Sequence, residues 1–257
     1  MWLLTELKKR KKEDKPAVIC RERCLTYRQL WEQSEQIAQK MLGDLQTKAP
    51  ILIYGNKNNE IIPVMVAALK TGRAYVPVDV TFPVERLSRI QKITEAEMVF
   101  NFSHADLGEL SKDCLVIQEN DYAEIIADTV SGEVPEDQWV QGEDNCYILF
   151  TSGSTGDPKG VQITKNNILN FVGWFSGYAA VPEGAAVLNQ VSYSFDVSVI
   201  QLYIYLASGA TLFSIDKGMI EDFGELFHYL VESDISAWVS TCLLYTSPSP
   251  RDLSTSR

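Results

Sequence analysis

Short apolar runs rich in β-branched residues alternate with helix-patterned stretches along this chain, and that alternation restricts the fold more than any other feature. Candidate strands lie at Ala17–Cys20, Ile51–Tyr54, Ala74–Val78, Met98–Phe100, Cys114–Ile117, Tyr147–Phe150, Ala186–Asn189, Thr211–Ser214 and Ala237–Val239. Strands separated by helical segments make stacked βαβ units and a largely parallel sheet, so the fold class is α/β. Thr26-Tyr27-Arg28-Gln29 reads as a capping box, because threonine and glutamine three positions apart each satisfy a free amide of the other's turn. It opens an amphipathic helix to about Leu42. A second helix spans Asn59 to Leu69, with Pro63 tolerable near its first turn, and stops at Thr71-Gly72. Pro83 to Thr94 reads as a third helix, and Asp121 to Asp144 as an acidic connection, irregular or partly helical. No repeat, low-complexity linker or composition shift marks a domain boundary within residues 1–241.

The pattern breaks after Ser240-Thr241. Cys242-Leu243-Leu244-Tyr245-Thr246-Ser247-Pro248-Ser249-Pro250-Arg251-Asp252 is the translation of a transposase-type sequencing-library adapter. Residues 242–257 therefore read as a translated adapter tail rather than native chain, and such scars are excluded from fold reasoning.

At 257 residues, with nearly half of them apolar, the chain has ample material for a core. A formal charge of −11 argues against a nucleic-acid partner, because phosphate binding relies on clustered Lys and Arg. The one basic cluster, Lys8 to Lys12, runs straight into Glu13 and Asp14 and reads as a solvated helix end. No run of eighteen apolar residues exists, and the N-terminus lacks the apolar segment and cleavage site of a secretory signal. The expectation is a cytoplasmic protein with no membrane insertion. Cys20, Cys24, Cys114, Cys146 and Cys242 form no disulfide framework and too small a cluster for zinc, so they read as buried reduced thiols. His104 and His228 sit in ordinary contexts and belong to no visible triad.

The chemistry is concentrated in Tyr147-Ile148-Leu149-Phe150-Thr151-Ser152-Gly153-Ser154-Thr155-Gly156-Asp157-Pro158-Lys159-Gly160-Val161. An apolar strand runs into hydroxyls and glycines closed by a lysine. Such a loop can wrap a polyphosphate: glycines let backbone amides converge, hydroxyls donate and lysine supplies countercharge. It is not a Walker loop, since Gly156 and Lys159 are not adjacent and Gly160 follows. Thr151, Ser152, Gly153, Ser154, Thr155, Gly156 and Lys159 are the candidate triphosphate contacts. This segment is similar to the phosphate loop of the adenylate-forming superfamily, which includes acyl-CoA synthetases, luciferases and peptide-synthetase adenylation domains.

Three further stretches resemble the amino-acid-activating branch of that superfamily. Leu25 to Leu30 and Leu69 to Asp79 match its first two motifs and read as structural, a helix cap and a helix stop before a strand. Tyr193-Ser194-Phe195-Asp196-Val197-Ser198 places a carboxylate ahead of an apolar helix running through Val199, Leu202, Ile204 and Leu206. Asp196 or Ser198 could cap that helix. The resemblance instead assigns Asp196, with Phe195 beside it, to the substrate, its carboxylate meeting the ammonium group. Leu188-Asn189-Gln190, Ser214 to Ile220 and Ala237-Trp238-Val239-Ser240-Thr241 look like the D-alanine–D-alanyl carrier protein ligases.

That resemblance implies a large N-terminal adenylation domain, incomplete here and covering residues 1–241. It implies ATP and Mg²⁺ as cofactors and D-alanine and a phosphopantetheinylated carrier protein as partners. The reaction it implies has two steps: aminoacyl adenylate formation with release of pyrophosphate, then transfer to the carrier thiol. In the family the adenine- and ribose-binding motifs, a metal-binding glutamate, the hinge and the catalytic lysine lie beyond the last residues of this sequence. The polypeptide as written is therefore expected to be inactive, and no residue within it is assigned as catalytic or as a metal ligand. Two other readings compete: an adenylation domain of a peptide synthetase for another amino acid, and a non-catalytic nucleotide-binding module.

Overall fold

The computed structural model describes residues 1–240 except 109, 129–131, 153–157, 179–181 and 183, with the backbone alone at Ser111, Ser152 and Tyr178. In chain order the elements are α1 (Leu3–Lys9), β1 (Pro16–Cys20), β2 (Arg23–Thr26), α2 (Tyr27–Asp44), β3 (Ile51–Gly55), α3 (Ile61–Lys70), β4 (Tyr75–Asp79), α4 (Val84–Thr94), β5 (Met98–Asn101), α5 (Leu110–Asp113) and β6 (Leu115–Gln118). There follow α6 (Glu119–Ala127), β7 (Asn145–Ser152), β8 (Pro158–Thr164), α7 (Lys165–Tyr178), β9 (Ala186–Asn189), α8 (Ser198–Ile200), β10 (Thr211–Ser214), α9 (Lys217–Glu221), α10 (Phe223–Glu232) and β11 (Ala237–Trp238). Every strand expected from the sequence is present within a residue or two. The tail after Thr241 lies outside the described residues.

Two mixed sheets result, ordered β6-β5-β3-β4-β7-β8 and β11-β9-β10-β1-β2. Pairing is parallel except at one edge of each, where β8 runs antiparallel to β7 and β2 antiparallel to β1. Both of those edge strands escape the sequence reading for the same reason. β2 buries only Leu25 fully, and β8 buries only Pro158, so neither carries the apolar alternation that betrays a half-buried strand.

The layers follow from the period of two in the strands. In the first sheet Ile51, Ile53, Met98 and Phe100 face a central helical layer, and Leu52, Tyr54, Val76, Val78 and Val99 face α4 through Leu87 and Ile90. The second sheet gives Val18, Val187 and Leu212 to the same central layer, and Cys20 and Leu188 to α9 and α10 through Met219, Leu226 and Leu230. Helix α3 occupies the middle and is buried at all ten positions, which explains why Ile61 to Leu69 is apolar all round rather than striped. Pro63 sits at its third residue, where its missing amide costs no intrahelical bond. The Thr26–Gln29 capping box forms with both arms in place.

Two expectations need correction. Cys20, Cys114 and Cys146 are buried, but Cys24 is exposed because it lies on the edge strand β2. The basic cluster after α1 is not merely solvated. Lys8 pairs with Glu136 at 2.6 Å and Lys11 with Glu133 at 2.6 Å, tying the acidic connection back to the N-terminal helix.

Candidate active site

In parallel sheets, ligands bind in the crevice outside the carboxyl ends of the strands. Here the carboxyl edges of the two sheets meet each other. β7 and β8 form a hairpin with Thr151 opposite Lys159 and Ser152 opposite Pro158. Gly153, Ser154, Thr155 and Gly156 lie outside the described residues, as does the side chain of Ser152. Thr151 and Lys159 are exposed one pair short of the last described positions of the hairpin, at the same end of the sheet as the ends of β3 and β4. Gly160 proves structural: a Cβ there would stand 2.9 Å from Ile148 Cγ2 and 3.0 Å from Phe150 Cζ, so glycine lets the Phe150 ring lie across the partner strand. From α4, the Arg86 guanidinium donates to the Phe150 carbonyl at 3.2 Å and lies over the Phe82 ring, bracing the base of the hairpin.

The segment that leaves β9 lies against the carboxyl ends of β3 and β4, bonded to Lys57, Pro77 and Asp79. Its turns are closed by Phe195 N–H donating to Ser192 O, Ser198 N–H to Phe195 O and Val199 N–H to Asp196 O. Helix α8 is only three residues long before the chain widens into a π-helix over Gln201–Leu206, a feature that concentrates at functional sites. No side chain caps α8. The Ser198 hydroxyl instead donates to the Phe195 carbonyl at 2.7 Å. Asp196 is exposed and Phe195 is 58% exposed. Asp196 lies close enough to Tyr147 of β7 for its charge to add to the effect of burial, and together they push the Tyr147 phenol up from its ordinary range. The Tyr147 ring is stacked on Tyr75 and tilted against Tyr203.

The structure adds residues that the sequence reading left out. Lys57, just past β3, is fully buried and donates to Asn189 Oδ1 at 2.8 Å and to the Val191 carbonyl at 2.5 Å. Its Nζ lies 3.7 Å from the centre of the Tyr193 ring. Burial holds its pKa well below that of a free lysine, opposed by the charge of Asp79. Asp79, at the end of β4, accepts from Ser192 Oγ at 2.5 Å, Asn56 Nδ2 at 3.1 Å and Thr81 N–H at 3.0 Å. Lys57 and Asn189 are 132 positions apart, so no local pattern announces them as partners.

Among the described residues, no three carboxylate, imidazole or thiolate groups come together as a metal-binding set. The described residues bring the base of the β7–β8 hairpin and the exposed Asp196 segment to the joined carboxyl edges of two sheets. This is the two-sheet architecture of AMP-binding enzymes, and the chain belongs to that family, whose model matches residues 5–246. Within that family it is 37% identical over 244 residues to a D-alanine–D-alanyl carrier protein ligase of Bacillus licheniformis, covering 94% of this chain and 48% of that protein. To the ligase of the same name from Listeria welshimeri it is 35% identical over 219 residues, covering 84% and 43%. The chain spans about half the length of the curated relatives it matches.

Solved structures agree on the fold. The o-succinylbenzoate CoA synthetase of Bacillus subtilis, in complex with an acyl-adenylate intermediate, superimposes with a TM-score of 0.77 at 17% identity, covering 91% of this chain and 61% of that one. The N-terminal subdomain of Klebsiella oxytoca NpsA superimposes with a TM-score of 0.74 at 24% identity, covering 92% and 58%. The fold is thus that of the N-terminal domain of adenylate-forming enzymes. No helix among the described residues is long and apolar enough to cross a membrane.

Proposed function

We propose that this chain is the front part of an ATP-dependent ligase that activates D-alanine as an aminoacyl adenylate and passes it to the phosphopantetheine thiol of a carrier protein. The observation that carries the reading is the carboxylate of Asp196, exposed in the segment held at the joined carboxyl edges of the two sheets by Lys57 and Asp79. A carboxylate is the natural partner of an amino acid's ammonium group, and a hydrogen bond to a charged group is worth about 1.5–3 kcal/mol. The relatives named D-alanine–D-alanyl carrier protein ligase support the choice of amino acid.

In this reading the hairpin tip receives the triphosphate of the substrate ATP. Thr151 supplies a hydroxyl donor and Lys159 countercharge, and the glycines and hydroxyls between them supply converging backbone and side-chain donors. The amino-acid carboxylate then attacks the α-phosphate, pyrophosphate leaves, and the thiol of the carrier takes the aminoacyl group with release of AMP. Phe195 supplies an apolar wall next to Asp196. Mg²⁺ would accompany the triphosphate, and no step is assigned to it.

The test is Asp196→Asn in the intact ligase, followed by ATP–pyrophosphate exchange. KM for D-alanine is expected to rise about tenfold or more with KM for ATP nearly unchanged. Unchanged kinetics with a lower melting temperature would return Asp196 to a structural role.

A further inference from the structure

Between the end of β9 and the start of α8 the chain has no regular secondary structure, yet Asp196 must be held in place there if it is to meet a substrate. Self-contained turns fix its local shape but not its position against the first sheet. That position is set from outside. Lys57 grips the near end through Asn189 Oδ1 and the Val191 carbonyl, and its ammonium group lies over the Tyr193 ring. Ser192 is tied to Asp79, and the Ser194 hydroxyl donates to the Pro77 carbonyl at 3.2 Å. Asn189 is in turn oriented by donating its Nδ2 to Tyr193 OH and Ser214 Oγ, which fixes Oδ1 as the acceptor that Lys57 meets.

A lysine is an expensive choice for an interior position, because burial disfavours its charge and leucine or methionine would fill the same space. Among the described residues no carboxylate bonds directly to Lys57; both of its acceptors belong to the one segment that carries Phe195 and Asp196. We propose that Lys57 is a positioning residue that holds the 189–195 segment against the first sheet and so sets where the Asp196 carboxylate stands. Asp79 is the second anchor through Ser192. Lys57 touches no substrate in this scheme and acts only through Asp196, so the proposal rests on the assignment of Asp196 to the amino group.

Two measurements test it. In the intact ligase, Lys57→Met keeps the apolar stem and removes both hydrogen bonds. It is expected to raise KM for D-alanine about fivefold, with KM for ATP and kcat little changed. Combined with Asp196→Asn, it should add nothing to the KM of the single Asp196→Asn variant, because a positioning effect disappears with the group positioned. Equal losses for both substrates, or effects that add in the double variant, would overturn the proposal.

The second measurement is hydrogen exchange on the intact ligase. Lys57→Met should speed exchange at the amides of Phe195, Ser198 and Val199 while leaving the centre of α2 protected, and unchanged protection at those three amides would also overturn it. Should Lys57→Met fail to fold, Ser192→Ala cuts the Asp79 anchor alone and is expected to speed exchange at the same amides. Should Asp196→Asn leave KM for D-alanine unchanged, the substrate assignment fails separately, and hydrogen exchange still decides whether Lys57 holds the segment.

Discussion

The two edges of the sheets use buried lysines in opposite ways. At the amino edge, Lys70 closes α3 just before β4 begins and is fully buried. It donates to Glu35 Oε1 at 2.7 Å, to Ser34 Oγ at 2.7 Å and to the Trp31 carbonyl at 3.3 Å, with its Nζ 3.3 Å from the Trp31 ring centre. Glu35 uses its other oxygen to accept the Val134 amide at 2.8 Å. Every charge there is answered within a closed group, and the cluster ties α2, α3 and the acidic connection together. At the carboxyl edge, Lys57 among the described residues donates to neutral carbonyl oxygens, and the Asp196 carboxylate is exposed and does not cap α8. A satisfied edge stabilises the fold; an edge with an uncommitted carboxylate and an exposed lysine is equipped to bind.

The largest stability effect should therefore come from the amino edge. Lys70→Met leaves Glu35 buried without its countercharge and is expected to cost about 3–5 kcal/mol in urea unfolding. Adding Glu35→Leu should recover most of that loss, since an apolar pair removes the stranded charge. A recovery that fails would mean the cluster contributes specific bonds beyond its charge balance.

At the carboxyl edge, the corresponding change should spare the fold and remove function. Lys159→Ala in the intact ligase is expected to lower pyrophosphate exchange about tenfold or more at subsaturating ATP, with urea unfolding shifted by no more than about 0.5 kcal/mol because the side chain is exposed. Unchanged exchange at all ATP concentrations would remove the hairpin tip from the reaction.

The pH dependence sharpens the contrast further. Burial pushes Lys70 down to about 7, against an ordinary value of 10.5, with Glu35 opposing the shift. Between those two values the unfolded chain binds more protons than the folded one, so this lysine makes stability rise with pH from about 7 to 10.5. Below that window its contribution is constant. Unfolding followed across this range in the wild type and in the Glu35→Leu/Lys70→Met variant should show the wild type gaining relative to the variant as pH rises. Parallel curves would show that Lys70 keeps its proton throughout.

The smallest effect expected is at the capping box. Thr26→Ala removes the acceptor for the Gln29 amide at 3.2 Å and should cost about 1 kcal/mol, read as a lowered midpoint in thermal unfolding. Pyrophosphate exchange in the intact ligase should not change, because this cap lies at the amino edge.

The elements were legible because each is set by local chemistry. The buried parallel strands are short apolar runs, α3 is apolar throughout, and the box at Thr26 and Gln29 satisfies amides within one turn. The two edge strands were not legible, because an exposed strand has nothing to alternate against. The same division runs through the candidate site. Thr151, Lys159 and Asp196 stand in contiguous motifs whose residue types announce their chemistry. Lys57 and Asp79 do not, since a lysine in a polar loop and an aspartate closing a strand look like surface residues until the second sheet packs over them. Sequence alone determined which stretches form strands and helices and singled out the loop proposed to hold phosphate, since those properties depend on neighbours in the chain. Only the tertiary structure decided that the carboxyl edges of the two sheets meet, because burial of Lys57 and its bond to Asn189 depend on partners 132 positions away.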